Sequence, residues 1–90
     1  MVRCERWHQP AGVLCGASAV FCAHARHPTD EGWEDREAQL FFLAGARWDY
    51  ATSGGGCREL WWYCDTLSEA VVMRDVLATV GGVTVTAREL

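Results

Sequence analysis

Residues 66 to 82 carry a helix with both of its ends written out. Thr66-Leu67-Ser68-Glu69 has the spacing of a capping box. The Thr66 hydroxyl is placed to accept from the Glu69 amide while the Glu69 carboxylate reaches back to the chain entering the helix. Ala70, Met73, Leu77 and Val80 then recur at i, i+3, i+7 and i+10, one apolar stripe of a 3.6-residue period. Gly81-Gly82 offers the left-handed residue on which helices commonly stop. The spacing therefore predicts a helix over 67–80, and its stripe must be covered by whatever flanks it.

Both flanks read as strands. Val83, Val85 and Ala87 alternate with Thr84, Thr86 and Arg88, the period-two pattern of a half-buried strand. Upstream, "CRELWWYCD" (57–65) is a strand. "ARWDYAT" (46–52) alternates Ala46, Trp48 and Tyr50 with Arg47 and Asp49, and "SGGG" (53–56) links the two as a hairpin loop. The order strand, strand, helix, strand predicts an α+β domain. Its antiparallel sheet has three to four strands packed with one main helix, a β-β-α-β core over residues 38–90.

"AQLFFLAG" (38–45) is expected to be mostly strand, since Phe41-Phe42 followed by Gly45 suits a bulge. The alternative is a helix begun at Thr29 or Asp30 with Trp33, Leu40 and Ala44 facing inward. Residues 12–25 read equally as a further strand or a short buried helix. "HPTDEGWEDRE" (27–37) is the most polar stretch, with Asp30, Glu31, Glu34, Asp35 and Glu37. It reads as a connection or the start of a helix, its acids solvated, between a Cys/His-rich segment (1–28) and the core, all within a single domain over 1–90.

Trp61 and Trp62 are neighbours in the predicted strand 57–65, so their side chains point to opposite faces. Leu60, Trp62 and Cys64 form the face expected against the helix. Cys57, Glu59, Trp61, Tyr63 and Asp65 form the other. Fully burying an indole stabilises a small domain by about 2–3 kcal/mol, so Trp61 calls for a cover. Val13, Leu14, Val20 and Phe21 could supply it. The other account leaves Trp61 and Tyr63 as a protein-binding patch with Trp48 or Tyr50 beside them and Glu59, Asp65 and Asp49 at the rim, because aromatic anchors inside a polar rim are typical of binding hot spots. Val71 lies off the inward stripe of the helix, which also suggests some exposed apolar surface.

Charge limits the class of partner. Eight Arg against twelve acids give a formal charge of −4, which argues against direct, non-specific nucleic-acid binding. It suits a protein partner that is itself basic or nucleic-acid-binding. The chain has no Lys, Asn or Ile, residues with A/T-rich codons, so that absence points to G/C-rich DNA and not to a physical demand.

Five cysteines, an odd number with no C-x-x-C, fit free buried thiols in a reducing cytoplasm better than a disulfide framework. Residues 11–25 have the outline of a signal peptide and end in Ala23-His24-Ala25. They are poor in Leu, however, and follow an acidic Glu5. The run is also shorter than the roughly 20 apolar residues a membrane span takes.

Three chemistries can be drawn on the Cys/His-rich segment. Cys22, His24 and His27 with Cys4 could ligate zinc, although no C-x-x-C knuckle anchors them. Cys22 with His24 or His27 and Asp30 could be drawn as a thiol enzyme, although no local signature supports it. "SGGG" lacks the Lys-Ser/Thr of a phosphate loop, and the acids of 30–37 lack calcium-loop spacing.

The expectation is therefore a small, acidic, cytoplasmic, non-enzymatic protein without a cofactor that acts by binding another protein. It has the general character of phage-encoded inhibitors of bacterial defence complexes, anti-CRISPR proteins among them. A zinc-stabilised binding module is the second reading and a thiol-dependent enzyme the third. A homodimer could also use an exposed patch, since a two-fold contact uses the same surface twice.

Overall fold

Gly55 and Gly56 have φ of +62° and +79°, the left-handed pair that a two-residue type I′ hairpin turn requires. They join β2 (Tyr50–Gly54) to β3 (Cys57–Cys64). The computed structural model describes residues 20–90. It adds β1 (Phe21–Pro28), α1 (Trp33–Leu43), α2 (Leu67–Leu77) and β4 (Thr84–Glu89). The strands form one sheet in the order β2-β3-β1-β4, every pair antiparallel. Expectations about residues 12–19 lie outside the described residues.

The α+β class holds, with four strands and, in place of one main helix, two helices among the described residues. The added helix is the correction at 38–45. Gly45 is the residue past a helix end and not a bulge: at φ +81° it lets its own N–H reach the Phe42 carbonyl and the Ala46 N–H reach the Phe41 carbonyl. That pair of bonds is a Schellman stop. The start of α1 has no side-chain cap, and Glu34 and Asp35 in its first turn offset the exposed N–H groups electrostatically. Leu40 and Ala44 face inward and are buried, as the helical alternative placed them.

α2 begins as its sequence predicts. Glu69 N–H donates to Thr66 Oγ1 at 3.1 Å, and the Thr66 and Asp65 N–H groups donate to Glu69 Oε1 at 3.2 and 3.0 Å. The helix stops at Leu77, three residues early, yet Val80 stays buried in the following turn.

Both helices lie on one face of the sheet. Leu40 of α1, Ala44 at its C-terminal cap and Leu77 of α2 meet Ala23, Ala25, Leu60 and Trp62, with Met73, Val83 and Val85 packed around them. Alanines at two positions of the inner strand β1 leave room for the helices to approach the backbone closely. Trp62 is fully buried, and its indole N–H donates to the Arg47 carbonyl, so its polar atom is satisfied along with its apolar ring. The opposite sheet face carries Cys22, Trp61 and Leu90 with Tyr50 and Tyr63 against them.

Candidate protein-binding surface

The patch anticipated on the sheet is only partly assembled. Glu59, Trp61 and Tyr63 share the face opposite the helices, but Trp61 is 6% exposed, wedged between His24 and Tyr50 with ring centroids at 4.7 and 5.1 Å. Glu59 is engaged with His24 Nε2 at 2.8 Å. Tyr63 is half-buried, and burial pushes its hydroxyl pKa well up, with the charge of Asp49 adding to the effect. The Trp61 indole nitrogen and the Tyr63 hydroxyl are buried with no hydrogen-bond partner among the described residues. Asp49 is committed to the fold, since its Oδ2 accepts from the Tyr63 N–H and from Arg47, both at 2.7 Å. Asp65 is exposed at the start of α2.

Trp48 is not a neighbour of Trp61. The ladder of β2 begins only at Tyr50, and the preceding chain turns through Gly45 and Ala46, both at positive φ. Alternation therefore does not run through 46–50. Trp48 packs on the helix side, edge to face with Phe41 at 5.0 Å, while Tyr50 faces away from it.

Strand pleating also divides the residues drawn as zinc ligands. Cys22 and His24 point to the face opposite the helices, whereas His27 turns inward to Glu37; Cys4 lies outside the described residues. Burial raises the Cys22 thiol pKa, with Arg88 opposing, the reverse of the shift that activates a nucleophilic cysteine. Among the described residues no helix is long and apolar enough to cross a membrane.

The exposed apolar surface lies instead on the helix layer. Phe41, Phe42 and Leu43 close α1 on three successive 100° steps of one turn. Phe41 therefore looks toward Trp48 and β3, Phe42 straight out at 80% exposure, and Leu43 toward α2. Leu43 with Val72, Met73 and Val76 lines a groove between the two helices, and Val72 is 63% exposed. Phe41, Phe42 and Leu43 thus carry exposed apolar surface around the end of α1 to Val72 and Val76 across the groove, with Trp48 packed against Phe41 at the other side. Scattered exposed apolar residues are ordinary, but a contiguous run of them on a small domain is a feature of interaction sites.

Beside this band a cleft of about 460 Å³ opens between α1 and the hairpin, walled by Trp33, Phe41, Trp48 and Ala38. Its floor is a buried ionic network. Glu37 accepts from Arg58 Nε at 2.6 Å and Nη2 at 2.9 Å, and His27 Nε2 lies 3.0 Å from the same carboxylate. Burial pushes the Glu37 carboxyl pKa up, yet Arg58 and then His27 outweigh it, and the net shift is downward. Arg36 bridges the Pro28 carbonyl and Asp30.

Nothing in the sequence reading singled out Glu37, Arg58, His27 and Trp33 as one group. Glu37 sits in a run of acids that reads as solvated, and its partners are 10 and 21 residues away. The surface signal that was legible was an apolar residue off the α2 stripe; it fell on Val71, which is half-buried, one residue short of the more exposed Val72. No protein-family model matches this chain, and neither a curated protein nor a solved structure matches it.

Proposed function

We propose that this small acidic protein acts by binding a basic protein through the outer side of its two helices. The observation that carries the reading is the band from Phe42 to Val72, two large apolar side chains standing 80% and 63% exposed in one surface. Neither can contribute much to folding from that position. The charge of −4, and the acids Asp30, Glu31, Glu34 and Asp35 at the head of α1, favour a positively charged partner by long-range attraction.

Phe42→Lys and Val72→Lys test it, since each removes apolar area and adds the charge that would repel such a partner. Both are expected to keep the wild-type melting temperature, because exposed substitutions usually change stability by less than about 0.5 kcal/mol. Both should lose a basic protein that the wild type captures from its host cell. Capture unchanged in both folded variants overturns the reading, as does a partner that proves acidic. A concentration-dependent dimer that both variants abolish, with no other protein bound, replaces the partner by a second copy of the chain.

A further inference from the structure

We infer that the cleft between α1 and the hairpin is a receptor for one arginine side chain of the partner, a step that rests on the partner being basic. The walls are three aromatic rings, Trp33, Phe41 and Trp48, whose π faces attract cations. Trp33 already holds a guanidinium within the fold, with the Arg58 carbon over its ring at 5.5 Å from the centroid and His27 stacked on it at 6.3 Å, so the rings left to an incoming group are Phe41 and Trp48. Arginine suits such walls better than lysine because its flat head stacks and is less strongly hydrated.

The charge at the cleft has the sign this requires. Arg58 and Glu37 neutralise each other through two hydrogen bonds. Glu34, exposed at the rim, makes no ion pair among the described residues. One uncommitted carboxylate therefore remains beside an apolar, aromatic wall. An anion would meet Glu34 unfavourably, and a neutral group would gain nothing from its charge. Phe41 belongs both to this wall and to the apolar band, so an arginine entering the cleft would sit beside a partner lying across Phe42.

The test is an NMR titration of the full chain at low salt, following the indole N–H signals of Trp33 and Trp48. The probes are a tetra-arginine peptide, its neutral isostere tetra-citrulline and tetra-glutamate. Tetra-arginine should give saturable shifts at both indoles and bind more tightly than tetra-citrulline. Glu34→Gln, an exposed and conservative change, should weaken tetra-arginine about two- to fivefold, the worth of one exposed charge contact, and Trp48→Phe should weaken it as well. Equal binding of citrulline, tighter binding of glutamate, or no saturable shift at either indole overturns the proposal. Phe42→Lys and Val72→Lys separate the two readings. If they abolish partner capture while Glu34→Gln and Trp48→Phe leave both partner and peptide bound, the band stands and the arginine cleft falls.

Discussion

Replacing Glu37 by Gln keeps the shape of a side chain that is only 7% exposed and removes its charge. Arg58 would then lose a bidentate carboxylate partner, and His27 would lose an anion at 3.0 Å. Breaking a fully buried ion pair costs about 3–5 kcal/mol, chiefly because the surviving charge stays desolvated. The Arg58 side chain keeps 20% exposure and can turn its head partly to water, so the expected loss is nearer 2–3 kcal/mol on the same scale. Urea denaturation at pH 7 measures it as a lower midpoint at unchanged slope. Arg58→Met should cost less than Glu37→Gln, because a Glu37 left behind can take up a proton and lose its charge, whereas an Arg58 left behind cannot lose its own. The double variant should fall well short of the sum of the two. Acid adds an independent check. The Glu37 pKa is lowered in the fold, so its contribution is complete above the unfolded value of about 4.3 and is lost as pH drops through the lower folded value. The gap between wild type and Glu37→Gln should therefore be full above the unfolded value and narrow as pH falls below it. A Glu37→Gln cost below about 0.5 kcal/mol, the size typical of a surface change, would refute the argument that this network anchors α1 to the sheet.

Gly45→Ala should destabilise the domain by about 1–2 kcal/mol, the cost of a Cβ in the left-handed region. Its side chain would meet nothing within 4 Å, so the loss is purely conformational; an unchanged urea midpoint would contradict the Schellman stop. His24 is predicted to titrate below 6.5, because burial lowers its pKa and Glu59 only partly opposes that. Stability from the neutral ring is complete above the unfolded value and is lost as pH falls through the folded one. Glu59→Gln should move the NMR midpoint of His24 lower still, and a midpoint above 6.5 in the wild type would rule this out.

Elements whose signals sit within a few adjacent residues were legible in the sequence. The capping box of α2 and the alternation of β4 depend on local backbone chemistry and stand where the pattern places them; the hairpin is also where it is expected, but its loop of 53–56 shortens to Gly55-Gly56, with Ser53 and Gly54 in β2. α1 was obscured because its inward line, Glu37, Leu40 and Ala44, includes an acid. Read as polar, Glu37 breaks the stripe; read with Arg58 beside it, Glu37 completes it. That partner comes from a strand 21 residues away, which no window of local pattern contains. Gly45 carried a second ambiguity, since one glycine after two phenylalanines fits a strand bulge or a helix stop, and only the bonds from Gly45 and Ala46 decide between them. Trp48 was misplaced for a related reason: alternation assumes an extended chain, and Gly45 and Ala46 turn it just upstream. The insertion of β1 between β3 and β4 follows from pairings across the whole length of the chain and left no trace in spacing.

Among the described residues, the apolar side chains with most surface left for a partner stand on the helices. In the sequence Trp61 has most to gain from a cover, but at 6% exposure it has almost nothing left to gain from a partner. Phe42 has most of its side chain still in water, and removing such a side chain from solvent is worth about 2 kcal/mol. Val72 adds roughly another 1 kcal/mol on the same scale. Together they correspond to about two decades of affinity, before the cost of ordering both molecules is subtracted. Two such anchors are too little for tight binding by themselves. A partner held here would draw further affinity from charge, and the acids at the head of α1, Glu34 beside the aromatic cleft among them, are where this chain could supply it.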